Sequence, residues 1–143
     1  MANSYDETNR RSLEELKTFV EQLTDEQLTQ DLGNGWTPAA ELAHIAFWDR
    51  RAFQIASRVS ADDSFRNPAE NVHVLNDALL PQWRRIAPRD VIAEFVEAGT
   101  EVNNLMASVD QTTVEHWLEL RTFAVDRSNH RMEHLEELKQ IFE

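Results

Sequence analysis

The chain has 143 residues, a formal net charge of −12 and no cysteine. The length suffices for one domain with a sizeable buried core, and the lack of cysteine excludes disulfides, iron–sulfur clusters and cysteine-ligated zinc. The negative charge opposes the approach of phosphate backbones, so DNA and RNA are disfavoured as partners. We therefore expect a single domain over residues 1–143, in which any metal is held by nitrogen and oxygen atoms.

The sequence also predicts the compartment. The N-terminal stretch MANSYDETNRRSLEELK lacks a cationic start followed by an apolar core. No apolar run reaches the roughly 18 residues that a membrane span needs. We expect a cytoplasmic protein with no membrane partner.

The first half of the chain predicts two long helices. Apolar residues at three-and-four spacing indicate a first helix over residues 5–23. The stretch TDEQLTQDLGNGW then breaks the pattern, because its GNG tripeptide is typical of a tight turn. Thr37 and Pro38 mark the start of the second helix, which we expect to end near Arg58, since a threonine N-cap and a proline at the first helical position favour initiation.

The second half predicts three more helices and a short one. The polar segment SADDSFRNPAEN indicates a long crossover loop, and helices follow over residues 69–85 and 89–109. A short helix over residues 112–117, capped by Asp110 or Thr112, precedes a last helix over residues 122–142. The prediction is an all-α fold: a four-helix bundle with a long crossover between helices 2 and 3 and an extra short helix.

The last helix carries two histidines in the stretch NHRMEHLEEL. His130 and His134 are four residues apart and share one flank of an apolar stripe that we centre on Leu138. The other apolar members of that stripe are Phe123, Ala124, Leu135, Ile141 and Phe142. Arg127 and Arg131 interrupt it. Two imidazoles at this spacing are able to reach one metal ion.

His44 is the candidate third ligand. It lies mid-helix in AAELAHIAFWDRRA, where an unpaired imidazole would cost roughly 1 to 3 kcal/mol of desolvation. Two plainer interpretations stay open at this point. The HxxxH pair arises by chance on many polar helices, and a lone histidine on an apolar face is often a satisfied core residue.

Two segments resemble a known family. GWTPAAELAHIAFWDRRA looks like the second helix of the DinB/YfiT-like four-helix-bundle proteins, and NHRMEHLEELKQIF is similar to their last helix. The resemblance implies a divalent metal, zinc or nickel foremost, held by His44, His130 and His134. It also implies a class in which some members transfer low-molecular-weight thiols and related proteins are isomerases or hydrolases.

Several other polar residues were assigned roles from their positions. Glu41 and Asp126 precede metal-ligand candidates by about one turn and are candidates to orient their rings, although solvated surface charge is the plainer interpretation. Asp49 falls inside an apolar arc and is expected to pair with an arginine or to cap a neighbouring helix. We expect a structural role for His73, and packing or surface exposure for His116.

The sequence thus favours a metal-dependent enzyme. Three neutral imidazoles leave an open coordination position, at which a bound water or thiol loses its proton. The resemblance implies either attack of a metal-bound thiolate on a small electrophile or hydrolysis. Because the chain has no cysteine, that thiol has to be a low-molecular-weight cosubstrate. The alternative hypothesis is a non-catalytic bundle whose histidines support stability, homodimer assembly or small-molecule binding.

Overall fold

Every regular element of the structure is an α-helix. The computed structural model describes residues 3–143, and no strand occurs within that range. The helices are α1 (Asp6–Glu21), α2 (Asp25–Leu28), α3 (Pro38–Ala61), α4 (Val72–Trp83), α5 (Pro88–Ala107), α6 (Gln111–Leu120) and α7 (Ser128–Phe142). The predicted all-α fold is confirmed. No helix in this part of the chain combines the length with the apolar composition that crossing a bilayer requires.

Four helices form the bundle. Helix α1 packs against α5 and α7, and α3 packs against the same two helices, so each of the four has two neighbours. The long crossover was predicted between the second helix and the helix at residues 69–85. The structure instead connects the bundle helices α3 and α5, and this connection contains α4, which packs against α3. Helix α2 contacts both α3 and α5. The bundle therefore brings α3 and α7, the two histidine-bearing helices, into direct contact.

The core consists of two apolar clusters. The first lies around the N-terminal half of α3 and includes Leu16, Leu42, Ile45, Phe95 and Leu135. The second lies around the C-terminal half of α3 and includes Val59, Val102, Met106, Trp117 and Phe123. Burial of these side chains supplies the main driving force for folding.

A buried ion cluster joins α3 to α7. Asp49 is 1% exposed and accepts hydrogen bonds from Arg127 Nε at 2.9 Å and from Arg131 Nη2 at 3.0 Å. Arg131 is fully buried, and its other donors reach the Asn9 carbonyl at 2.8 Å and Asn103 Oδ1 at 3.1 Å. The expected pairing of Asp49 with an arginine is confirmed. This pairing explains the two arginines that sequence spacing placed in the apolar stripe of the last helix. Arg131 Nε is nevertheless buried without a hydrogen-bond partner among the described residues.

The start of α7 differs from the prediction. The helix begins at Ser128 rather than at residue 122, because Asp126 Oδ1 accepts hydrogen bonds from the Ser128 backbone N–H at 2.9 Å and from its hydroxyl at 2.5 Å. Arg121 adopts a positive φ of 56° and ends α6. Phe123 and Ala124 therefore lie outside the stripe of α7. Phe123 is buried in the second apolar cluster, and this tertiary burial overrides the helical periodicity.

Helix α2 was missed by the sequence analysis. It is one turn long, so its apolar period is too short to be recognised. Thr24 Oγ1 accepts from the Gln27 backbone N–H at 3.1 Å, and Gln27 Oε1 accepts from the Thr24 backbone N–H at 2.9 Å. This capping box was visible in the sequence as TDEQ.

Several further boundaries differ by a few residues. Helix α3 continues to Ala61, beyond Arg58, and α4 begins at Val72 rather than at residue 69, where the Asn71 side chain caps it. Helix α6 spans Gln111–Leu120 and is longer than predicted. Its cap is Asp110, whose side chain accepts from the Thr113 backbone N–H at 2.8 Å.

We expect Asp49→Asn to lower the free energy of unfolding by about 3 kcal/mol, because it leaves two buried guanidinium groups without a counter-charge. Equilibrium denaturation with urea measures the loss. The control is Glu101→Gln, which removes an exposed partner of Arg50 and should cost less than about 1 kcal/mol. Equally small losses in the two variants would contradict the role given to the buried cluster.

Candidate metal centre

Three histidines meet at the contact between α3 and α7. His44 comes from α3, and His130 and His134 come from α7. Their ring nitrogens lie within 4.8 Å of one another, and the Nε2 atoms of His44 and His130 are 2.7 Å apart. His44 is 8% exposed and the other two are half-buried. The structure therefore brings together the three residues that the sequence selected as candidate ligands.

Asn76 fixes the orientation of the His44 ring. His44 Nδ1 lies 3.1 Å from Asn76 Oδ1, and Trp48 Nε1 donates to the same oxygen at 3.0 Å. Because an indole N–H only donates, the oxygen of Asn76 must face Trp48 and thereby also His44. His44 consequently carries its proton on Nδ1. Its Nε2 lone pair points toward His130.

Glu41 fixes the His134 ring in the same way. His134 Nδ1 lies 2.5 Å from Glu41 Oε1, and the carboxylate is 5% exposed. A carboxylate accepts, so Nδ1 of His134 carries a proton, and in the neutral ring the lone pair is on Nε2. Glu41 precedes His44 in α3, yet it orients a histidine of the other helix. Carboxylate support of this kind is common behind metal-binding histidines.

Asp126 does not orient a histidine. Its carboxylate holds the backbone and hydroxyl of Ser128 at the start of α7. It therefore places the first turn of the helix that carries His130. The interpretation of Asp126 as a partner of the His130 ring is corrected to a role in helix initiation.

Burial keeps two of the histidines uncharged. It is the largest cause that lowers the pKa of His44 to about 4 and that of His130 to about 3. His134 lowers both further by repulsion, and Arg127 and Arg131 add to the effect on His130. Both rings are neutral near pH 7. Their lone pairs are therefore available to a cation.

The donor set fits a transition-metal ion. With the proton of His44 on Nδ1, the 2.7 Å separation of the two Nε2 atoms is a hydrogen bond that His130 donates to His44, and a bound cation would take the place of that proton. Imidazole nitrogens suit zinc, nickel and copper, whereas magnesium and calcium prefer oxygen. Three protein nitrogens also match the ligand number of open, catalytic zinc sites.

A cavity of about 400 Å³ opens beside the histidines. Its apolar wall includes Trp36 and Ile141, and its polar lining includes Glu41, Asn76 and Glu137. A hydrogen bond with the Glu41 carboxylate is the main cause that raises the pKa of Glu137 to about 7, and burial adds to it. The volume lies within the range of small-molecule sites.

Two tryptophans hold the His44 ring from outside the bundle. The turn at residues 33–35 has three successive positive φ angles and presents Trp36 to His44, with ring centroids 5.7 Å apart. Trp83 of α4 contacts the same ring at 5.7 Å, also edge to face. The contacts with the two indole rings restrict the imidazole of His44 to one orientation.

Sequence reasoning missed Asn76 and the hydrogen bond of Trp48. The only local signal was an amide within the otherwise apolar stretch VHVLNDALL, and nothing there indicates which residue it contacts. His73 is exposed on α4, and this position gives no support to the structural role expected of it. His116 is a surface residue, and its Nε2 lies 2.7 Å from Asp63 Oδ1.

The comparisons with known proteins identify one family. The sequence model of the DinB superfamily matches the chain over residues 7–138. The matched segment runs from α1 to α7 and includes all three histidines. No curated protein and no solved structure matches the chain significantly.

We expect the metal-free protein to lose stability as the pH falls below 6.5. Between pH 6.5 and about 4, the unfolded chain binds a proton at His44 that the folded chain does not, and the same holds for His130 down to about 3. The contribution of the two histidines to the free energy of unfolding is thus complete above pH 6.5 and decreases on acidification. Each histidine lowers the free energy of unfolding by up to about 1.4 kcal/mol per pH unit.

Urea denaturation in the presence of EDTA, at several pH values on either side of 6.5, measures this dependence. His130→Gln should flatten the curve by about 1 kcal/mol per pH unit, because it removes one of the two titrating groups. Asn129→Gln, at the exposed neighbouring position, should leave the slope unchanged. Identical slopes in the wild type and His130→Gln would refute the low pKa of His130.

Proposed function

Because the chain belongs to the DinB superfamily, we propose that His44, His130 and His134 bind a divalent transition-metal ion and that the protein is a metal-dependent enzyme. The observation that carries the proposal is the pairing of the rings. Asn76 and Glu41 occupy the Nδ1 atoms of His44 and His134, which leaves their Nε2 atoms for a cation, and one ring nitrogen from each of the three histidines lies within 4.8 Å of the other two. Zinc or nickel is the ion that this nitrogen donor set favours among those commonly available.

The residues around the site orient the metal-binding rings and shield them from solvent. A bound divalent ion supplies Lewis acidity, which lowers the pKa of a water or thiol at its open position. Glu41 holds a proton at His134 Nδ1, and Asn76 accepts the Nδ1 proton of His44, so neither ring is free to turn. Trp36 walls the cavity and Trp83 covers the His44 ring, which restricts the access of bulk water.

The reaction we propose is transfer of a low-molecular-weight thiol to a small electrophile, with hydrolysis as the second possibility. The chain has no cysteine, so the sulfur nucleophile must come from a cosubstrate. A cavity of about 400 Å³ accommodates a small thiol and an electrophile but not a macromolecule. A non-catalytic role for the same histidines is the alternative, and turnover separates the two.

Metal content tests the site itself. We expect untagged wild-type protein, dialysed against metal-free buffer, to retain about one equivalent of a transition metal by elemental analysis. His130→Ala should retain little, because one of three ligands is lost. His116→Ala is the matched control, since that histidine lies at the surface beside Asp63 and should leave the metal content unchanged. No metal in the wild type, even after refilling with zinc or nickel, would reject the proposal.

Turnover tests the catalytic role. With 2-mercaptoethanol and 1-chloro-2,4-dinitrobenzene, we expect thioether formation that requires metal and falls to the uncatalysed rate in His44→Ala. Absorbance of the product measures the rate, and His116→Ala should retain it. A wild-type protein that binds metal, gains thermal stability from it and accelerates neither thiol transfer nor ester hydrolysis would support the non-catalytic alternative.

A further inference from the structure

We propose that Glu137 selects thiol substrates that carry a positively charged group. The inference rests on the proposed function, because it assumes that a metal at the three histidines binds the sulfur atom. It concerns the end of the thiol substrate that lies away from the sulfur atom. The substrate class that follows is a small aminothiol rather than a thiol whose charges are carboxylates.

The first step concerns where a bound thiol extends. His44 and His134 form part of the cavity lining, so a ligand that enters the site from the cavity keeps its remaining atoms within it. Trp36, Leu32 and Ile141 supply apolar contacts for a short carbon chain. Glu137 lies in the same lining, on α7, one turn after His134.

The second step concerns the charge of the lining. Within residues 3–143, the side chains that line this cavity include two carboxylates, Glu41 and Glu137, and neither lysine nor arginine. Glu41 is buried and engaged with His134, whereas Glu137 is exposed. Glu137 is therefore the acid that a ligand in the cavity is able to contact. Its contact with Glu41 raises its pKa to about 7, and an ammonium group beside it favours the ionised carboxylate.

The third step concerns neighbouring cations. The guanidinium of Arg84 lies near Gly35, at 3.2 Å from the position of an added Cβ, and Arg84 is not among the residues that line the cavity. The chain as a whole carries a net charge of −12. Local and overall fields therefore have the same sign, and both attract an ammonium group and repel a carboxylate.

Three thiols with the same two-carbon spacer test the inference: cysteamine, 2-mercaptoethanol and 3-mercaptopropionate. They end in an ammonium, a hydroxyl and a carboxylate group respectively. The readout is binding to cobalt-loaded protein, followed by the absorption band that a thiolate produces on cobalt, and it requires no turnover. We expect the wild type to bind cysteamine most tightly and 3-mercaptopropionate most weakly.

The decisive quantity is a ratio between variants. These thiols differ in their own acidity, and that difference cancels when their relative affinities in the wild type and in Glu137→Gln are compared. We expect the preference for cysteamine over 3-mercaptopropionate to fall about tenfold in Glu137→Gln. Glu136→Gln, which removes an exposed carboxylate of the same helix outside the cavity lining, should leave it unchanged.

The outcomes separate this inference from the proposed function. Failure of cobalt to bind, seen as the absence of its visible bands before thiol is added, would overturn both. Cobalt binding with the same preference in the wild type and Glu137→Gln would overturn the role of Glu137 alone. An equal fall in Glu136→Gln would also overturn it, because the preference would then reflect the overall field of the protein.

Discussion

The ion cluster of Asp49, Arg127 and Arg131 joins the two helices that carry the histidines. It is buried between two apolar clusters, where water cannot replace a lost partner, so each guanidinium must keep its place opposite the carboxylate. Asp49 follows His44 on α3 by little more than one turn, and the two arginines flank His130 on α7. The contact that fixes α3 against α7 thereby fixes the relative position of His44 and His130.

The same cluster influences the charge of the site. Arg127 and Arg131 are close enough to lower the pKa of His130, in addition to the larger effect of burial. A histidine in this position is neutral under physiological conditions and presents a lone pair. Neutral imidazoles are what a metal ion requires, and burial, the largest cause of the low pKa of His130, disfavours the competing proton. The two arginines that stabilise the contact between α3 and α7 therefore also contribute to the neutral state of His130.

Elements outside the four-helix bundle complete the cavity. Helix α4 is loosely attached: Trp83 is its buried residue, and Val74 is 62% exposed. It nevertheless supplies Asn76, which orients His44. The turn at residues 33–35 supplies Trp36 in the same manner. The bundle thus provides the candidate metal ligands. Helix α4 and the turn, which pack on its outside, orient the His44 ring and supply side chains that line the cavity.

The sequence by itself determined the all-α fold and the start of α3 at Thr37 and Pro38, because periodicity and caps are local properties of a helix. It also paired His130 with His134 through their i, i+4 spacing, whereas His44 was selected by its apolar setting and by the family resemblance. It did not determine where α7 begins, since burial of Phe123 in a distant cluster competes with helical periodicity and wins. It also did not reveal the partner of His44. Asn76 is separated from it by 32 residues, and only the packing of α4 on α3 brings the amide to the ring.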